Sequence, residues 1–500
     1  MFFLLSKNNP IRSGIREIYE CFSNVGSELK PRRCAMRNPL KSRMSRLTLV
    51  LVLVLAVTAF AVTQSVLHMG VSHDTVEHLH SAWLYSQGER PYFDFFQKQG
   101  PILWVMLQPV LELAEEDPGR AVMNGALFMS IFFVITLLGM YFLAKEVLPR
   151  GVDGKWALLA PTIAIASPTL VGNFMAVRPD GVMFAPLVWA MFFFTKYYRD
   201  DTKRNSLFWA GLLFGIASVI LLKAVPLAFV LGLFLIAISL KRREWKGPVL
   251  AMIGFALPLT VFVFWLWQTD LLGAFYYFNV VFNAQLYTHP PQKVWMGIVE
   301  LVVRDTERWL ELLTIGSFAY IGYAIFRLRR RYFVPIGVVV FATLGMIVNH
   351  AMPWYNYFMP IYIGAILVAP AMVVWMVDRW KARLERLPVP ILATIVVAVF
   401  SLNAHLDTAT LAPRIDSQMR TLAKLSEQSE CPQPPNHPIF VHDCYRVWYN
   451  RDTYLYVFRA LHQEGRIPEW VDDLYRSEYA VSPPTILRPT VATLSDVDSP

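Results

Sequence analysis

Charge is scarce in this sequence. Of its 500 residues, 17% are charged and 55% are hydrophobic, whereas an ordinary soluble domain carries about 25% charge. That balance argues against a soluble fold of this size. Strict alternation of apolar and polar residues is also missing, which excludes a lipid-facing β-barrel. There is no glycine-rich Walker or Rossmann motif and no internal repeat. A cleavable signal peptide is not evident either, because the first apolar run begins near Leu47, behind a basic segment, with no small-residue cleavage site after it. The first 46 residues therefore read as a disordered cytoplasmic tail, or partly as an over-long start with Met36 and Met44 as later candidates. Cysteine is rare, at four residues. Cys21 and Cys34 fall in the tail and should be reduced. Cys431 and Cys444 fall in an oxidising compartment, where a disulfide and two unpaired buried thiols are equally open.

What the sequence has is long apolar runs, such as LTLVLVLVLAVTAFAV and AFVLGLFLIAISL. About 20 such residues cross the roughly 30 Å hydrocarbon core as a helix. Spans are expected at 47–69, 120–144, 156–172, 181–197, 206–222, 224–240, 248–267, 309–326, 333–349, 356–376 and 388–406, about eleven in all. The net charge of +9 then reads as a topology signal. One set of connections is basic: the N-terminal tail, Lys145 to Lys155, Lys196 to Arg204, Lys241 to Lys246, Arg327 to Arg331 and Arg379 to Arg386. The positive-inside bias puts these in the cytoplasm. The loops 70–119, 173–180, 223, 268–308 and 350–355, and the segment 407–500, fall on the other side.

Two of the outer loops are long. In the first, residues 74–87 have helical spacing, with Val76, Leu79, Trp83 and Ser86 near one face and Asp74, Glu77, His78 and Ser81 on another. This predicts an amphipathic helix lying at the membrane interface, and Pro101 to Ala114 predicts a second. The other long loop has an apolar first half and a His289-Pro290-Pro291 break, consistent with a re-entrant segment or a lid. The C-terminal 407–500 is richer in charge and proline. It predicts a small α/β domain, with strands at 437–443 and 478–482 and a helix at 452–466. The expected organisation is a tail at 1–46, an all-α transmembrane domain at 47–406 and an extracytoplasmic domain at 407–500.

Asp74 is the first candidate for chemistry. With Glu77 and His78 at i+3 and i+4 it forms a titratable helical face, and its carboxylate could take a proton from a hydroxyl. Asp-x-x-Glu at a helix start is equally a capping box, with Asp74 accepting from first-turn N–H groups. A zinc cluster of His73, Glu77, His78 and His80 matches no strong ligand spacing, so no metal is assigned. Arg178 and Asp180, in RPDG, are either an ion pair or site residues. Lys223 interrupts an apolar run with Pro226 three residues on, which predicts a sharp outer hairpin. There the lysine could snorkel or meet a lipid phosphate. His350 sits in a short aromatic loop, where a lone histidine is more often structural. All of these residues map to one side of the membrane.

Their sequence context resembles a known family. HDTVEHLHSAWLYSQGERPYFDFFQKQGPILW is similar to the first outer loop of GT-C-fold transferases that use lipid-linked sugars, nearest to the bacterial protein O-mannosyltransferase-like group and the lipid A aminoarabinose transferases. The likeness rests on Asp74, the small-to-glycine stretch Ala82 to Gly88, Tyr92 to Phe95, Gly100-Pro101, the RPDG element, Lys223 and HAMPWYNYFMP, and covers roughly residues 47–380. Where relatives often carry a His or Pro pair, this chain has Gln97 to Gly100, which weakens any metal assignment further. The resemblance implies a glycosyltransferase of the bacterial inner membrane, with its N-terminus cytoplasmic and its C-terminus outside. Its donor would be a sugar on a polyprenyl phosphate. Its acceptor hydroxyl would belong to a lipid, a glycan or a protein. Asp74 would be the general base of an inverting transfer, and Arg178 and Lys223 would meet the phosphate. Asp180 or Glu77 would orient the acceptor or the cations. His78, Lys98, His350 and Tyr355 complete the expected substrate-binding set. No cofactor and no nucleic acid are implied. The competing reading is a transporter or flippase of lipid-linked sugars, which should place charges or broken helices near the midplane.

Overall fold

The structure is a computed structural model. It describes residues 71–284, 308–328, 333–348, 358–379 and 461–471, with a few further positions at 60, 62–64, 66–68, 417–420 and 439. By internal packing the chain divides into residues 1–53 and 54–500, and the described residues all belong to the second unit.

Fourteen α-helices are named here among the described residues, and no strand occurs among them. The first outer loop holds α1 (His73–Ser86), α2 (Ile102–Met106) and α3 (Gln108–Glu112). The bundle follows with α4 (Pro118–Val147), α5 (Leu159–Ala166), α6 (Pro168–Met175), α7 (Pro179–Arg199), α8 (Asn205–Ile220), α9 (Ala224–Arg242) and α10 (Lys246–Gln268). In the second outer loop α11 (Leu272–Tyr276) runs into a π-helical turn, Tyr277–Phe282. Last come α12 (Arg308–Phe326), α13 (Val334–Val348) and α14 (Met359–Arg379).

Five of these helices (α4, α9, α10, α12 and α14) are long and apolar enough to cross a membrane, and the bent pair before α7 makes a sixth if it counts as one span. The chain is a multi-pass membrane protein. Each expected span within the described residues falls on a helix. The expected span 388–406 and most of 47–69 lie outside them, as do the expected strand 478–482, all of the expected strand 437–443 but residue 439, Cys431 and Cys444, and most of the predicted helix 452–466.

The expected span 156–172 is not straight. It bends by 74° between Ala166 and Pro168. Ser167 caps the second piece by accepting from Leu170 N at 3.1 Å, and Pro168 occupies its first turn, so the sequence restarts a helix there. Asp117 and Pro118 open α4 in the same way. Around α4 pack α5, α6 and α7, while α8 lies between α7 and α10. Gly211 and Gly215, spaced four apart on α8, meet the backbone of Ala251 and the side of Pro258 on α10. Small residues at that spacing let two membrane helices touch along their backbones.

Helix α1 lies where the apolar spacing put it. Val76 and Leu79 are buried, and so are Glu77, His78, His80 and Ser81 on its other face. Helices α2, α3 and α4 cover it, so both faces are enclosed by protein. The stretch Pro101 to Ala114, expected as one helix, is divided into α2 and α3. Below it a second, aromatic core gathers Tyr92, Phe96, Phe278 and Phe282 with Leu461 and Val471. Trp470 packs on Phe93 and Phe278, which ties the described C-terminal stretch to both outer loops.

Candidate active site

The cap of α1 decides what Asp74 does. Thr75 N donates to Ser72 Oγ at 3.2 Å, so Ser72 is the capping residue. Of the two readings left open for Asp74, the capping one does not form: Ser72 takes that role, and Asp74 stands one step inside the first turn. Its Oδ2 instead lies 3.0 Å from Arg178 Nη1. The RPDG turn supplies that partner. Arg178 is extended, Pro179 starts α7, and Asp180 falls in its first turn. Val177 N donates to Thr75 Oγ1 at 3.0 Å, which pins this turn to α1.

The contacts continue in one direction. Arg178 Nη2 lies 3.7 Å from Asp180 Oδ2. Lys223 Nζ donates to Asp180 Oδ1 at 3.0 Å, from the hairpin between α8 and α9 where the sequence placed it. The result is a row of alternating charge, Asp74–Arg178–Asp180–Lys223, assembled from three separate segments. Asp180 is its most enclosed member, with 10% of its side chain exposed, against 33% for Asp74.

Behind the row lies a buried polar layer. Gln97 Nε2 donates to Glu77 Oε1 at 3.1 Å and to Ser81 Oγ at 2.7 Å. Burial, then the neighbouring Asp74 charge, pushes the Glu77 carboxyl up to about 7. Trp104 Nε1 donates to His78 Nδ1 at 3.3 Å. Burial holds the His78 imidazole down to about 4, so it stays neutral near pH 7. Lys98 acts electrostatically on both Glu77 and His78. The backbone that carries it is held from the second outer loop: Asn283 Nδ2 donates to Lys98 O at 2.9 Å, and Tyr92 OH donates to Gln99 O at 2.7 Å. His80 contacts the carbonyl of Ile439 through Nδ1 at 2.6 Å.

Of the expected site residues, Asp74, Arg178, Asp180 and Lys223 meet directly. Glu77, His78 and Lys98 stand beside them. His350 and Tyr355 lie outside the described residues. Among the described residues, no group of three or more His, Cys, Asp or Glu side chains is placed to share a metal ion. Sequence reasoning missed Gln97, Trp104 and Asn283. The first two sit in the quoted loop without a motif of their own, and only the fold brings Asn283 to it.

The family model described as dolichyl-phosphate-mannose-protein mannosyltransferase matches residues 99–267, which include Arg178, Asp180 and Lys223. The fold is similar to ArnT from Cupriavidus metallidurans bound to undecaprenyl phosphate, at TM-score 0.55 and 12% identity over 84% of this chain and 89% of that one. The apo form of the same protein matches at TM-score 0.55 and 14% identity over 85% and 90%. The chain is a GT-C-fold glycosyltransferase. At such low identity the solved structures speak for the fold, and the matched family speaks for the class of enzyme. The Archaeoglobus fulgidus oligosaccharyltransferase in its apo form is more distant, at TM-score 0.46 and 12% identity over 75% of this chain and 58% of that longer one. No curated protein matches the sequence. The GT-C architecture here places the charge row where the first outer loop, the RPDG turn and the Lys223 hairpin converge.

Proposed function

We propose that this enzyme moves a sugar from a polyprenyl-phosphate donor to an acceptor hydroxyl at the extracytoplasmic membrane surface, with inversion at the anomeric carbon. The single observation that carries the reading is the charge row, because it sets a carboxylate and two cations side by side. The acceptor oxygen forms the new bond to the anomeric carbon as the carbon–oxygen bond to phosphate breaks. Asp74 takes the acceptor proton, with its Oδ2 held by Arg178. The departing polyprenyl phosphate gains negative charge, which Arg178 and Lys223 meet. A planar guanidinium suits phosphate oxygens, while an ammonium acts as a point charge. Asp180 holds both cations apart from each other and in place. Glu77 stays behind the row, held there by Gln97. The undecaprenyl phosphate named with ArnT supports the choice of donor class.

The transfer reading is tested by reconstituting the chain in proteoliposomes with a radiolabelled polyprenyl-phosphate sugar and a cell-envelope extract. The label should move to an acceptor and leave unlabelled polyprenyl phosphate behind. Label that crosses the bilayer still attached to its lipid would support the flippase reading instead.

A further inference from the structure

We infer that a separate cavity on the Asp74 side of the charge row receives the acceptor, as one hydroxylated sugar unit. This rests on the transfer reading above and adds where the second substrate sits and what it is. The cavity has a volume of ≈ 270 Å³ and lies between the outer end of the first apolar run, α4 and α6. Ser72, Thr75 and Arg178 line it, whereas Asp74, Asp180 and Lys223 do not. It therefore meets the row at Arg178, the ion-pair partner of Asp74, beside Ser72 and Thr75 on either side of Asp74 in sequence, and stands apart from the lysine end.

Its walls differ in character. Ser72, Thr169, Asn173 and Arg178 form a polar side, and Val66 and Ala126 belong to the apolar side. Among the described residues no carboxylate lines it, so a cationic group would enter without a counter-charge from them. A sugar ring suits such walls, with hydroxyls at its edge and C–H groups on its faces. The volume falls below the ~300–1,000 Å³ of pockets for drug-sized ligands. It fits one ring and cannot take a long prenyl chain, which excludes the donor tail. A peptide acceptor fits poorly as well. The helices that form the walls use their backbone groups internally, leaving no edge to pair with a peptide. Farther along α4, the apolar Leu127 and Ile131 are exposed. A glycolipid headgroup and a soluble glycan both carry the required ring, and the experiment separates them.

The full chain in nanodiscs is given radiolabelled undecaprenyl-phosphate mannose and an envelope extract resolved afterwards into glycolipid, soluble glycan and protein. The label is expected in one of the first two fractions. Ala126→Leu fills the cavity, and Asn173→Ala removes a polar wall group. Each should raise the amount of extract needed for half-maximal transfer by about tenfold and leave the donor requirement unchanged. Gel filtration of each variant checks its folding. Label in protein would overturn the inference. So would a shift in the donor requirement, or no shift in either. A wild-type chain that leaves the label on its donor would instead sink the transfer reading, whatever the cavity holds.

Discussion

Two residues compete for the start of α1, and the competition matters to function. Serine and aspartate are comparable capping residues, so SHDT does not say which of Ser72 and Asp74 takes the role. The tie is broken from outside the helix by Arg178, 3.0 Å from Asp74. That contact spans a hundred residues of chain, which is why local spacing could not supply it. The four charged groups were legible as candidates because short outer loops contain few polar residues. The neutral state of His78 was not legible, since it follows from burial against Trp104. Glu77 offers a residue-scale prediction. Its carboxyl is raised to about 7 from 4.5, mainly by burial. Between those values the folded chain keeps a proton that the unfolded chain has lost, so stability falls as pH rises through that window. Glu77→Gln removes the titration. Its melting temperature should fall less between pH 5 and pH 8 than that of the wild type, and parallel curves would contradict the assignment. His78 contributes in the opposite sense, losing stability as pH falls from 6.5 to about 4, and is common to both proteins.

At the scale of elements, the apolar runs located the helices but not their breaks. Residues 156–172 look like one span because every residue near Ser167 is apolar or small. The bend comes from a serine cap followed by proline, a pattern that hydropathy averages away. Likewise Pro109 parts α2 from α3 within a stretch that reads as one helix. The amphipathic reading of α1 found its buried apolar face, but its polar face is buried too, against Gln97 and Trp104. Ser72→Ala tests the cap. It should cost about 1 kcal/mol in stability and loosen the first turn that carries Asp74, which hydrogen exchange at Thr75 and Val76 would report. An unchanged exchange pattern would mean the cap does not hold this turn. The α8–α10 contact depends on missing side chains. A Cβ at Gly211 would strike the Ala251 backbone, so Gly211→Val should force the helices apart and lower the melting temperature, whereas Gly232→Val, with open space around it, should not.

Across the whole molecule the two ends of the bundle carry different charge chemistry. At one end Arg199 pairs with Glu146, Arg204 with Glu244 and Arg242 with Asp201, each joining connections that the positive-inside bias assigns to the cytoplasm. These pairs are local stitches between helix ends. At the other end one row joins the first outer loop, the RPDG turn and the Lys223 hairpin. That these groups gather at one end was legible because the loops alternate in basic content. The order of the row was not, because it depends on how α7, α8 and α1 pack. That order makes Asp74 the terminal acid, at the opposite end of the row from Lys223. The most direct measurement is sugar transfer by Asp74→Asn in proteoliposomes, with donor binding followed in parallel. Loss of a general base predicts transfer slower by about 10²–10⁴-fold while the labelled donor still binds. Transfer at the wild-type rate by a folded Asp74→Asn protein would contradict the account.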